Sequence, residues 1–218
     1  MARQTKTVKI YIEGGGDGKG SKALKSEMRQ AFQTFFKGWG LESVLPSVVA
    51  CGARNQAFED FKTAIKNPKP DEAILLLVDS EDYPSSTSKW KHVAQRDSWI
   101  KPEKVTEQQL YFMAVCMESW FMVNTQALAD FYGQGFQVKQ LPKVSTNQAV
   151  EQLSKPAIYN GLANATRNTQ KGEYGKGAHS FKILAKIDAS KVLDHGQYAQ
   201  ELHAFLHCHQ KNDCKETN

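Results

Sequence analysis

The chain has 218 residues, 40% hydrophobic and 23% charged, with 28 basic against 23 acidic side chains and a formal net charge of +5. That composition suits an ordinary soluble globular protein of one α/β domain with a helical embellishment. No apolar run approaches the roughly 18 residues needed to span a bilayer, and the polar start runs straight into a strand, so a cytoplasmic protein without membrane association is expected.

The first strand, Val8–Ile12, closes on Glu13 and a glycine-rich turn, Gly14 to Gly20. Ser21 reads as the N-cap of a helix to about Lys37, with Leu24, Met28, Ala31 and Phe35 at helical spacing. A second strand is predicted at Ser47–Ala50. A helix over Arg54–Lys66 follows, burying Ala57, Phe61 and Ile65 and stopped by Asn67-Pro68-Lys69-Pro70. The third strand, Ala73–Val78, closes on Asp79-Ser80-Glu81-Asp82. Strand, helix, strand, helix, strand in that order favours a parallel sheet with right-handed crossovers, whose ligands bind beyond the carboxyl ends of the strands.

Tyr83 to Lys104 reads as a long polar excursion beside that edge. Leu110–Val115 is predicted as a further strand, leading through Cys116-Met117-Glu118 into a helix that includes Trp120 to Phe131 and ends at Gly133-Gln134-Gly135. Gln137–Ser154 reads as loop, Pro156–Asn168 as helix and Gln170–Ala178 as a glycine-rich basic loop. Two terminal helices are expected near His179–Lys186 and Gln197–His209. The division is a metal-binding α/β core over 1–135 and, over 136–218, a basic loop and helical extension packed on it. Four cysteines without close-set pairing, two of them in apolar stretches, suit reduced and buried thiols.

Glu13, Asp79 and Glu81 carry the main chemical signal. Hard cations such as Mg²⁺ take carboxylate oxygens and water, and a site of that kind can polarise a phosphodiester and activate a water. Alternation puts Asp79 and Glu81 on one side of a strand that continues past Val78. The plainer reading is that strand ends carry Asp, Glu and Gly because loops are polar, and either motif alone favours it. Gly14–Ser21 fails the phosphate-loop pattern, since Glu13 stands where a glycine is required and Gly20 where a hydroxyl residue is required. It reads instead as a flexible turn around a metal ligand, with Lys19 as a phosphate contact.

Glu118 sits among apolar residues, where an ionised carboxylate is costly unless paired or metal-bound; a helix start favouring its charge is the competing reading. Lys155, Arg167, Lys171, Lys176, Lys182, Lys186 and Lys191 crowd a stretch with few acids, which is either a phosphate-binding surface or a solvated lysine face. Within it, Arg167 and Lys171 are candidate nucleic-acid contacts. Arg54, after the second strand, either orients substrate or pairs with Glu59 or Asp60. His203, His207, Cys208, His209 and Cys214 lack a Cys-x-x-Cys partner and read as a surface helix rather than a zinc site.

Glu13-Gly14 at the end of the first strand and Asp79-Ser80-Glu81 at the end of a later one resemble the Toprim domain of topoisomerases, bacterial primases and the overcoming-lysogenization-defect nucleases. With Cys51-Gly-Ala-Arg54-Asn55, Cys116-Met-Glu118-Ser-Trp120-Phe121 and Tyr174-Gly-Lys176-Gly, the pattern also looks like a Toprim-related family of unassigned bacterial proteins that sit beside defence-type ATPases. The resemblance implies a Toprim-like, Rossmann-like parallel sheet flanked by helices. It further implies a Mg²⁺- or Mn²⁺-dependent nuclease with Glu13, Asp79 and Glu81 on the metal. Lys176, from the late loop where related families place a lysine, would stabilise charge in the transition state, and Glu118 would be an additional or supporting acid. DNA or RNA as substrate, an antiphage setting and an ATPase partner follow from the same resemblance. Asp82 beside the Asp-x-Glu motif leaves the ligand set open. A non-catalytic nucleic-acid- or protein-binding module, and a phosphotransfer or nucleotide-processing enzyme, are the competing classes. Oligomeric state is not legible.

Overall fold

The computed structural model describes residues 7–16, 18, 20–41, 45–144 and 149–211, with side chains as far as 209. Four strands, Thr7–Ile12 (β1), Ser47–Ala50 (β2), Glu72–Asp79 (β3) and Leu110–Met113 (β4), form one sheet in the order β2-β1-β3-β4. Every pairing is parallel. The expected α/β, Rossmann-like class holds: a parallel sheet with helices on both faces.

Alternation along the strands sorts their side chains between two cores. Val8, Ile10, Ile12, Leu75, Leu77, Tyr111 and Met113 face one core. Ile74, Leu76, Val78, Leu110 and Phe112 face the other. The first core is covered by helices Ser21–Lys37 (α1), Thr125–Tyr132 (α4), Lys155–Thr166 (α5), Lys176–Leu184 (α6), Ala189–His195 (α7) and Gln197–Lys211 (α8). Helices Arg54–Ala64 (α2) and Lys89–Asp97 (α3) cover the second. The C-terminal helices therefore share one core with the sheet. No helix among the described residues is long and apolar enough to cross a membrane.

Several expectations are corrected. Gly20, at φ 88°, holds the cap position of α1, and Ser21 is its first helical residue, because the glycine turn enters the helix in a left-handed conformation. Helix α2 stops at Ala64, short of Lys66, as Pro68 steers the preceding residue away from helix. The excursion after β3 contains α3, opened by Ser88, whose hydroxyl accepts the Lys91 N–H. Its nine residues are too short and polar for a clear periodic signal. The helix expected through Trp120 is broken: a 3-10 helix over Met117–Val123 precedes α4, with Asn124 between them. Asn124 Oδ1 accepts the Asp188 N–H at 2.9 Å, so the break ties this segment to α7. Two short 3-10 turns, Val138–Gln140 and Val150–Gln152, interrupt the predicted loop. Helix α5 ends at Thr166, and α6 starts at Lys176, three residues earlier than expected. Helix α7 went unpredicted, although Asp188 capping the Ser190 N–H is its sequence signal. Cys51 and Cys116 are free and buried, whereas Cys208 is disulfide-bonded, contrary to a fully reduced set.

Candidate metal centre

The chain runs from β1 out to β2 and then back past β1 to β3, so the order reverses between β1 and β3. At such a switch point the loops leaving the two strands diverge and open a crevice at their carboxyl ends. Glu13 follows β1 and Asp79 ends β3, so the topology sets both at that crevice. The turn after Glu13 is held by paired backbone bonds between Gly14 and Gly52, at 2.7 and 2.8 Å. Gly14 has φ 129°, a backbone that other residues resist.

Glu81 reaches the same place by a different route from the one expected. The strand stops at Asp79, and Glu81 adopts φ 73°, so a turn rather than strand alternation brings the two acids together. That turn is pinned on three sides: the Ser80 N–H donates to Met113 O, the Glu81 N–H to Val115 O at 2.7 Å, and His92 Nε2 meets Ser80 O at 2.9 Å. One carboxylate oxygen from each of Glu13, Asp79 and Glu81 lies within 4.8 Å of the others. Among the described residues this is the one group of three or more potential metal ligands, and the terminal histidines form none.

Asp79 is almost wholly buried, at 1% exposure. Its Oδ1 accepts the Met117 N–H at 2.9 Å, and its Oδ2 faces Lys176 Nζ at 3.4 Å and Lys155 Nζ at 3.5 Å. Lys155 Nζ also sits 2.7 Å from Glu81 Oε2. Arg54, the first residue of α2, donates to Glu13 Oε2 at 2.9 Å and to the Asp79 carbonyl, while gripping Asp97 with two bonds and lying over the Trp99 ring. The alternative partners Glu59 and Asp60 instead engage Lys62 and Gln56, because Arg54 reaches back over the N-terminal end of its helix. Arg96 adds a contact to Glu81 at 3.5 Å.

A cavity of about 140 Å³ opens between these groups, lined by Glu13, Arg54, Asp79, Met113, Met117 and Lys176 among others. Glu118, adjacent to the Met117 amide that holds Asp79, is fully buried. Its Oε1 accepts the Tyr174 hydroxyl at 2.7 Å, and its Oε2 has no hydrogen-bond partner among the described residues. Glu118 thereby ties the basic loop before α6 to the floor of the centre. Arg167 and Lys171 are exposed and engage locally, Arg167 with Asn164 and Lys171 over the Phe131 ring, away from the carboxylates. Lys19 lies outside the described residues. Arg96 and Asp97 carry no sequence signal for the site; Lys155, counted above only among the lysines of the basic stretch, carries one further sign in its place between Ser154 and Pro156 at a helix start.

Burial, and then the charge of Asp79, push the Glu13 carboxyl up to about 7, against the opposing pull of Arg54 and Lys176. Burial alone would disfavour the ammonium of Lys176, but Asp79 and then Glu118 outweigh it and hold that pKa above its ordinary value. The same balance, set by Asp79 and Glu81, raises Lys155. A carboxyl that titrates near 7 when folded and near 4.5 when unfolded binds more proton in the folded state between those values. The contribution of Glu13 to stability is therefore expected to fall as pH rises from about 4.5 to about 7, and Glu13→Gln to make that part of the profile less steeply falling. Chemical denaturation across this range checks it; an unchanged slope in the variant would contradict the assignment.

The donor set fits a hard divalent cation: it is all carboxylate, clustered, and free of thiolate or imidazole. Together the fold and the centre define an α/β protein with a carboxylate and lysine cluster at the switch point of a parallel sheet. The chain belongs to the family described as Domain of unknown function (DUF4276), whose model matches residues 12–207. No curated protein and no solved structure matches it.

Proposed function

We propose that the chain is a Mg²⁺- or Mn²⁺-dependent nuclease hydrolysing phosphodiester bonds of DNA or RNA. The observation that carries this reading is the meeting of Glu13, Asp79 and Glu81 within 4.8 Å, with Lys155 and Lys176 on the same carboxylates. A bound divalent ion would supply Lewis-acid polarisation of the phosphate and a more acidic water. The chain's own residues do the rest. Glu13 and Asp79, with Glu81 beside them, would hold the ion, the Met117 amide fixes the orientation of Asp79, and Arg54 holds Glu13 in register with the Asp79 backbone. Lys176, whose side chain is half exposed, can leave Asp79 for an incoming phosphate and stabilise the charge that develops on it. An antiphage setting with an ATPase partner belongs to the same proposal and rests on the Toprim resemblance alone.

One observation favours a second reading: every acid of the cluster already has a cationic side chain against it, as a purely structural ion-pair network would. That reading makes the protein a non-catalytic binding module. Incubation with labelled plasmid, single-stranded DNA and bulk tRNA in Mg²⁺ or Mn²⁺ separates the two. Cleavage that chelation stops is expected; retention of every polymer intact, with binding indifferent to metal, supports the module.

A further inference from the structure

Lys155 is the first residue of α5, directly after the cap Ser154, and its side chain reaches back into the centre. Its ammonium bridges Glu81 Oε2 at 2.7 Å and Asp79 Oδ2 at 3.5 Å. A single positive charge thus already stands between two of the three acids. In two-ion centres the ions lie about 3.5–4 Å apart, and Lys155 joins Asp79 to Glu81 as one of two such ions would. The open space is bordered by Asp79 and by Lys176, whose ammonium also faces Asp79 Oδ2, at 3.4 Å. Of the three acids, Glu13 and Asp79 line the cavity, while Glu81 and Lys155 do not. Glu81 is also drawn outward by Arg96, 3.5 Å away.

We infer that Lys155 is a built-in second cation, limiting the centre to one divalent ion held by Glu13 and Asp79, with Glu81 as the counter-ion of Lys155; this rests on reading the cluster as a metal centre. The two cationic positions then differ in kind. An ammonium offers three N–H donors and one charge, so it can orient a phosphate oxygen but cannot acidify a water as a divalent ion does. Hydrolysis would run with one Lewis acid and one fixed donor, with Asp79 common to both.

Titration with Mn²⁺ alone tests this, read by calorimetric stoichiometry and by the electron paramagnetic resonance spectrum. The wild-type chain and Lys155→Arg are expected to take one ion, and Lys155→Met two, with the broadened signal of a coupled pair. Glu81→Gln is expected to leave the wild-type ion within about threefold of its affinity, whereas Glu13→Gln weakens it about 100-fold, at the upper end of what even supporting groups around a metal cost. Two ions in the wild type, one ion in Lys155→Met, or a tenfold loss in Glu81→Gln would each overturn the inference and leave the metal centre standing. A wild-type chain that takes up no Mn²⁺ overturns both. Circular dichroism checks that each variant is folded, and the Glu81→Gln arm stands independently of Lys155→Met.

Discussion

Asp79→Asn is expected to abolish metal-dependent cleavage, lowering the rate about 10³-fold or more, on the scale of losing one preorganised charge-stabilising group. The substitution preserves shape and removes charge. The amide oxygen can still accept the Met117 N–H, which then turns the amide NH₂ toward Lys155 and Lys176, where donors face donors. Two ammonium groups lose their common counter-charge, and Glu13 loses the neighbour that would share a bound ion with it. Folding should suffer less than activity, by about 1–3 kcal/mol, because both lysines reach water and can be resolvated. Cleavage rate, Mn²⁺ uptake and thermal midpoint, measured side by side, check the three parts. Metal-dependent cleavage surviving in Asp79→Asn would remove this residue from the centre.

Trp120→Ala carries the largest expected loss of stability, about 3–5 kcal/mol. Trp120 is 2% exposed and lies parallel to Phe35 of α1 at 4.8 Å, with Trp39 edge-on at 6.4 Å. Truncation leaves a cavity between α1 and the 3-10 helix over Met117–Val123, and aromatic partners on several sides prevent easy collapse into it. For a chain of this size such a loss lowers the midpoint by about 10 °C. The damage should extend to function, since the same 3-10 helix carries the Met117 amide on Asp79 and the buried Glu118. Denaturant unfolding measures the first effect and Mn²⁺ affinity the second. A stability change below about 1 kcal/mol would mean that the aromatic stack is dispensable.

The centre was more legible than its geometry. Glu13 and Asp79 could be placed together from sequence because a parallel sheet collects the carboxyl ends of its strands on one edge, whatever their separation along the chain. Glu81 was placed there for an incomplete reason, since strand alternation stops at Asp79 and a positive-φ turn completes the approach. Family resemblance points to Lys176, which does contact Asp79, whereas Arg167 and Lys171 of the same basic stretch stay at the surface. Charge density along a chain says nothing about which lysine points inward; that depends on where each helix begins.

Neighbouring residues suffice for the four strands, the span of α1 to within a residue at its start, and the parallel order, because short-range periodicity and connection length are local properties. Tertiary packing decides α3, the break at Asn124 and α7: α3 and α7 are nine and seven residues long, too short for periodicity to stand out, and Met117–Met122 before the break are all buried. It alone decided the partners of the acids as well. Arg54 passed over nearby Glu59 and Asp60 for Glu13 and Asp97, and Lys155 crossed to Asp79 and Glu81, because an ion pair in a crevice is selected by the direction in which packed helices aim their first residues.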